Sequence, residues 1–235
     1  MSSAVFYTPR GREVTMTYRP DTSDWNTIWS CLEEDEYELR PLYMNGEALD
    51  VGAHIGGATV ALLADNPYLR VIAIEALPEN VALLRANLAS NGLADRATVI
   101  HGAAGAGSGT TRIHYGYTGS EHATHHAFIG NLALYQGRGP DHCTTEVEHE
   151  HVDVPTVAIT ALPTVAFAKI DCEGGEWAFL RGCAIPRIHG EAHPTDGHRM
   201  ADLYDLLPGY DITWATPPAG TDPTMGPLGF EAVLR

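Results

Sequence analysis

Asp50-Val51-Gly52-Ala53-His54-Ile55-Gly56-Gly57 is followed, 19 residues beyond Gly56, by Glu75. Glycines after a strand permit a tight turn and close backbone approach, and an acidic side chain ending the next strand can accept both hydrogen bonds of a ribose diol. The chemistry implied is the binding of a nucleotide or nucleoside cofactor. Two cofactor classes share that geometry. In a dinucleotide fingerprint GxGxxG starting at Gly52, the second glycine falls at position 54, where the missing side chain lets a pyrophosphate approach; here it is His54. S-adenosylmethionine has no pyrophosphate and asks only for backbone contact with its methionine part. The departure therefore favours a methyl donor over a nicotinamide dinucleotide. The candidate cofactor contacts are Asp50, Gly52, Ala53, His54, Gly56 and Glu75, with Asp171 further along the chain. A glycine turn serving only helix packing is the alternative, and Glu75 stands against it.

Lys169-Ile170-Asp171-Cys172-Glu173-Gly174-Gly175-Glu176-Trp177 is the second informative segment. It ends a strand, and ligands of open α/β sheets bind outside the carboxyl ends of strands, so Asp171 and Glu173 would face the same crevice as Asp50 and Glu75. Glu173 could instead cap the following helix, and Glu176 could lie in its first turn, where the dipole favours anions. Methyl transfer is an in-line displacement, so the chain must align an acceptor, take its proton and exclude water. Asp171, Glu173, His193 and His125 are the candidate general bases, imidazole titrating nearest operating pH. Asp171, Glu173 and Glu191, with His193, also form a mixed O/N set able to hold Mg²⁺ or another divalent metal, which would lower the pKa of an acceptor hydroxyl. In Glu121-His122-Ala123-Thr124-His125-His126, three histidines would share a face and could hold a metal if the segment were helical; a solvated polar loop whose histidines contact substrate or nothing is the alternative.

The elements that must position these residues follow from periodicity. Apolar runs at 48–52, 70–75 and 97–101 alternate with helical patterns, one stopped by Asn66-Pro67 and one opened by Pro78 and closed by Asn91-Gly92. Further strands are expected at 166–171, 187–193, 210–214 and 230–234, the last two as an edge hairpin, with helices near 175–182 and 200–207. The reading is α/β, with a mostly parallel seven-stranded sheet and helices on both faces. Residues 105–150, rich in Gly, Thr and His, form an insertion with a strand at 111–115. Trp25, Ile28, Trp29 and Leu32 recur at helical spacing behind Asp24, a candidate N-cap, so residues 1–46 read as a helical cap on a domain spanning 47–235.

Asp50 to Gly56, Ile74-Glu75-Ala76-Leu77-Pro78-Glu79-Asn80, Leu84-Arg85-Ala86-Asn87 and Lys169 to Glu176 together resemble the FkbM-type methyltransferases. The pairing of the glycine turn with a KxDxEGxE segment about 100 residues later is specific, and the resemblance spans roughly residues 22–235. It implies a class I methyltransferase fold, S-adenosylmethionine as donor, and O-methylation of a hydroxyl on a sugar or secondary metabolite. By resemblance Glu75 would hold the ribose, the Asp50 to Gly57 turn the methionine part, and residues near His101 to Ala104, including Ala103, the adenine, with Ala76 a further cofactor contact. The family's Leu-Asp pair before the fourth strand is replaced here by Ile159-Thr160-Ala161-Leu162, so no role for that Asp carries over. The histidine-rich stretch is not general to the family and is a candidate for substrate recognition.

Composition bounds the partners. Fourteen basic and thirty acidic residues in 235 give a net charge of −16, a field that repels nucleic acid. No run approaches a membrane span, and the first residues lack a basic region followed by an apolar one, so a cytoplasmic location is expected. Four scattered cysteines without a CxxC pair read as reduced thiols. The expected partner is a small-molecule acceptor, and the apolar cap could meet a second subunit of a homo-oligomer as readily as its own core. An NAD(P)-dependent Rossmann oxidoreductase and a non-catalytic cofactor-binding relative are the competing readings.

Overall fold

The computed structural model describes residues 1–117, 123–128, 149–193, 198–215 and 228–235. In chain order the elements are β1 (Ser2–Tyr7), β2 (Glu13–Tyr18), α1 (Asp24–Leu32), β3 (Gly46–Val51), α2 (Gly57–Asp65), β4 (Leu69–Glu75), α3 (Pro78–Ser90) and β5 (Ala97–His101). They continue as β6 (Ala103–Gly105), β7 (Gly109–Tyr117), β8 (Ala123–Phe128), β9 (His149–Ala158), β10 (Phe167–Ile170), α4 (Glu176–Phe179), β11 (Arg187–Ala192), α5 (Asp202–Leu206), β12 (Tyr210–Trp214) and β13 (Leu228–Leu234).

Seven strands form the central sheet in the order β12-β13-β11-β10-β3-β4-β5. The five from β11 to β5 are parallel, and β13 runs antiparallel to both β11 and β12, which gives the expected edge hairpin. Side chains alternate across a strand, so each central strand feeds two cores. Val71 and Ala73 join Ile28, Leu32, Val60, Leu63 and Leu84 on one face. Ile72, Ile74, Leu49, Val51 and Ile170 join Trp177, Phe179, Leu203 and Phe230 on the other.

Two regions differ from the sequence expectation. Residues 1–46 contain, besides α1, the antiparallel hairpin β1–β2, whose Phe6, Val14 and Met16 enter the first core. Helix α1 begins at Asp24 itself with Ser23 at the N-cap, and Asp24 caps nothing: its carboxylate holds Arg19. The 105–150 region and its flanks build a second sheet, β6-β9-β7-β8, in which β7 pairs antiparallel with β8 and β9. His125 and His126 lie on strand β8, so the helical face required for a three-histidine metal set is absent there; His122 and His142 fall outside the described residues. The helix expected over 175–182 is limited to α4, and Gly182, at φ +74°, follows it in a left-handed turn. Among the described residues Cys31, Cys172 and Cys183 are free thiols, and no helix is long and apolar enough to cross a membrane.

Candidate active site

At the carboxyl end of β3 the chain must turn immediately beside β10. Gly52 has φ +76°, and a Cβ there would sit 1.7 Å from the carbonyl oxygen of Asp171, so only glycine fits. Gly56, at φ +102°, lies under Leu84, where a Cβ would meet Cδ1 at 2.7 Å; its role is to seat α2 against α3. Between them His54 is left-handed at φ +51°, a conformation costly for a residue with a side chain. Its backbone N–H donates to Glu75 Oε2 at 2.8 Å, and its Nε2 lies 3.5 Å from Asp24 Oδ1.

These residues open on a cleft at the carboxyl ends of the parallel strands. Gly52, Ala53, His54, Glu75, Ala76, Ala103, Asp171 and Glu173 all line it, which brings together most of the sequence-predicted set. Asp50 is not among the lining residues. It is fully buried beneath the turn, accepts a hydrogen bond from Thr59 Oγ1 and pairs with Lys169 Nζ at 3.4 Å. The register that sets Lys169 opposite Asp50 on neighbouring parallel strands creates this pair.

Glu75 is buried and anchored three times: by the N–H groups of His54 and Leu77 (2.9 Å) and by Asn80 Nδ2 at 3.2 Å. Burial pushes its pKa up, and the two amides oppose that shift. A carboxylate offers about four lone-pair sites, so Glu75 keeps about one for a ligand hydroxyl while it also shapes the turn. Arg19 extends the network by donating to Asn80 Oδ1 at 2.6 Å and to both oxygens of Asp24. Burial would raise the pKa of Asp24, but the Arg19 hydrogen bonds win and hold it below the usual range.

The facing wall begins with Lys169, which donates to the Gly52 carbonyl at 2.7 Å and lies 3.9 Å from Asp171 Oδ2. Burial would discharge it, yet Asp50 and Asp171 outweigh that and keep it charged. Tyr37 Oη donates to Asp171 Oδ2 at 2.7 Å, and burial followed by the Asp171 charge pushes this phenol well up. Glu173 is held left-handed at φ +52° on the cleft lining. Behind it stands buried His193, whose Nε2 lies 3.3 Å from Glu173, 3.7 Å from Glu191 and 3.9 Å from Asp171. Glu176 is fully buried; one oxygen accepts the Gly174 N–H at 2.9 Å, the other the His193 N–H at 2.6 Å, and the latter also contacts His193 Nδ1 at 3.1 Å. It therefore braces the site rather than merely serving the helix dipole. Burial alone would lower the pKa of His193, but Glu173 and Glu176 drive it well above the usual imidazole value. Burial and the charge of Asp171 push Glu191 up to about 8.

His125 belongs to β8, at an edge of the second sheet. Sequence reasoning assigns no site role to Tyr37, Arg19, Asn80 or Lys169. Asn80 and Lys169 stand inside the two motifs, and Lys169, as the only lysine in the chain, is a usable signal. Nothing local marks Arg19, whereas Glu36-Tyr37, like Ser23-Asp24-Trp25 before α1, resembles the N-terminal region of the FkbM-type methyltransferases.

A model of the methyltransferase FkbM domain matches residues 50–209. The structure is similar to a precorrin-6y C5,15-methyltransferase from Geobacter metallireducens, with a TM-score of 0.51 and 13% identity over 93% of each chain. It also aligns with a precorrin 8w decarboxylase from Methanobacterium thermoautotrophicum, at TM-score 0.48 and 18% identity over 93% of this chain and 96% of the other. An O-methyltransferase from Bacillus cereus in complex with SAH aligns at TM-score 0.43 and 18% identity, over 80% and 74%. No curated protein matches the sequence. The first of these likenesses shows the class I methyltransferase fold. The family match takes in more than half of the 235 residues, and the chain belongs to the FkbM methyltransferase family.

Proposed function

We propose that this S-adenosylmethionine-dependent methyltransferase methylates a hydroxyl of a small molecule, a sugar or secondary metabolite of a bacterial biosynthetic pathway. One observation carries the reading: a nucleoside-type wall (Gly52, Ala53, Glu75, Ala76, Ala103) and an acidic wall (Asp171, Glu173) face each other across one cleft. The bound cofactor supplies an electrophilic sulfonium methyl. The chain's own residues do the rest. Glu75 accepts a ribose hydroxyl, and the small apolar side chains of Ala76 and Ala103 leave room for the adenine. Glu173, fixed by its left-handed backbone at the cleft, takes the acceptor proton. His193, braced by Glu176, backs that carboxylate at 3.3 Å. A hydroxyl needs such a base because its proton is released on transfer.

Calorimetric titration with S-adenosylhomocysteine tests the donor side. Saturable binding is expected, and Glu75→Ala should weaken it by about tenfold or more, about 1.4 kcal/mol. Incubation with S-adenosylmethionine and matched hydroxyl and amine acceptors, read by mass spectrometry, tests the acceptor side. Oxygen-methylated product that Glu173→Gln abolishes is expected; no S-adenosylhomocysteine binding, or methylation confined to nitrogen, would overturn the reading.

A further inference from the structure

Three donor atoms at the carboxyl ends of β10 and β11, from Asp171, Glu191 and His193, lie within 4.8 Å of one another. Donors that share one cation at about 2.0–2.2 Å stand no more than about 4.4 Å apart, so a small inward movement of these side chains closes a common coordination sphere. The set is prearranged. His193 presents Nδ1 to Glu176, its backbone N–H is bound by the same carboxylate, and its carbonyl accepts Trp177 Nε1 at 2.6 Å. The ring is thereby fixed with Nε2 directed at the carboxylates, the carboxylate-to-histidine support that metal-binding imidazoles use. Asp171 is divided in the same sense. Its Oδ2 is occupied by Tyr37 and Lys169, whereas Oδ1, on the His193 side, is shielded from solvent and accepts no hydrogen bond.

Charge points the same way. Asp171, Glu173, Glu176 and Glu191 surround this ring, and Lys169, near Asp171, is already shared with Asp50. We propose that Asp171, Glu191 and His193 bind a hard divalent cation of the Mg²⁺ or Mn²⁺ class beside the cleft. The two carboxylates suit such an ion, the single imidazole favours Mn²⁺ over Mg²⁺ within the class, and coordination positions stay open for water or an acceptor oxygen. This deepens the hydroxyl-methylating reading and rests on it: a cation here would lower the pKa of the acceptor hydroxyl and leave Glu173 to take its proton.

Mn²⁺ is the probe. Protein stripped by chelator is titrated with Mn²⁺ and the free ion read by electron paramagnetic resonance, for the unaltered chain, Glu191→Gln and Asp202→Asn. Asp202 pairs with exposed Arg199, contributes no donor to the set, and serves as the control for a generally acidic surface. The expected result is one saturable site per chain, weakened about tenfold or more by Glu191→Gln and unchanged by Asp202→Asn. Of the chain's 12 histidines all but His193 could bind Mn²⁺ elsewhere, so binding indifferent to Glu191→Gln overturns the proposal, as does absence of saturation in the unaltered chain. The second of these outcomes is read without any variant having to fold. S-adenosylhomocysteine binding by the stripped protein is measured in parallel. Cofactor binding without Mn²⁺ binding overturns the cation site alone, and loss of cofactor binding with and without Mn²⁺ overturns the methyltransferase reading itself.

Discussion

On the glycine-turn wall of the cleft the buried carboxylates are matched: Asp24 holds Arg19, Asp50 holds Lys169, and Glu75 is bound by two amides and Asn80. On the facing wall four carboxylates surround the single imidazole of His193. A fully partnered polar network fixes one geometry, which suits the wall proposed to hold the cofactor. An over-supplied set of negative charge is completed only when a proton, cation or substrate arrives. The first wall is therefore expected to lose stability when altered, and the second to lose chemistry.

The largest effect that could break this contrast is Lys169→Met. It strands Asp50, which has no exposed surface, without its cation. Removing one partner of a buried pair costs about 3–5 kcal/mol, to be read from urea denaturation of the purified variant. A cost below about 1 kcal/mol would mean that the pair is not structural. Adding Asp50→Leu should recover part of the loss, because the uncompensated charge goes with it.

Asp24→Asn comes next, at about 2 kcal/mol, since hydrogen bonds to charged groups contribute about 1.5–3 kcal/mol each. Its pH dependence has a definite sign. The folded-state pKa of Asp24 is held below its unfolded value by Arg19 after burial is overcome. The ionised carboxylate thus adds stability above the unfolded pKa of about 3.9, and that stability is lost as pH falls through the lower folded value. Denaturation at neutral pH should show the full gap between the two proteins, and the gap should close only in strong acid.

The parallel strands were legible because buried strands of such a sheet read as short apolar runs; their order, β10-β3-β4-β5, is set by tertiary pairing that the runs do not encode. The second sheet was hidden for a physical reason. Strand β9 carries His149, His151, Asp153 and Pro155, and polar residues with a proline do not resemble a strand until partners supply the pairing. Hairpin strand β2 alternates Val14 and Met16 with threonines, a period-2 pattern that the stronger helical spacing of Trp25 to Leu32 obscured. Motif spacing puts Glu75, Asp171 and Glu173 at strand ends, and from there all three line the cleft. Tyr37 reaches Asp171 across 134 positions of sequence, and a contact of that kind exists only after the cap has docked. Glu176 was visible but its direction was not: whether a carboxylate faces solvent at a helix start or folds back onto His193 depends on β11 lying alongside.

The smallest effect discriminates the two walls most sharply, because it has the opposite sign. Glu191 is 28% exposed in its side chain and lies 3.7 Å from His193, with Asp171 and Glu173 around the same ring. In chelator-treated protein, Glu191→Gln keeps the shape and removes one of several like charges. It should leave stability within about 0.5 kcal/mol or raise it slightly, whereas the neutralising change Asp24→Asn on the opposite wall lowers it. Thermal denaturation of both variants in the same buffer makes the comparison. A loss on Glu191→Gln as large as that on Asp24→Asn would show that the acidic wall is also a closed structural network. Its carboxylates would then be braces like Glu75, and the difference between a wall that holds and a wall that reacts would disappear.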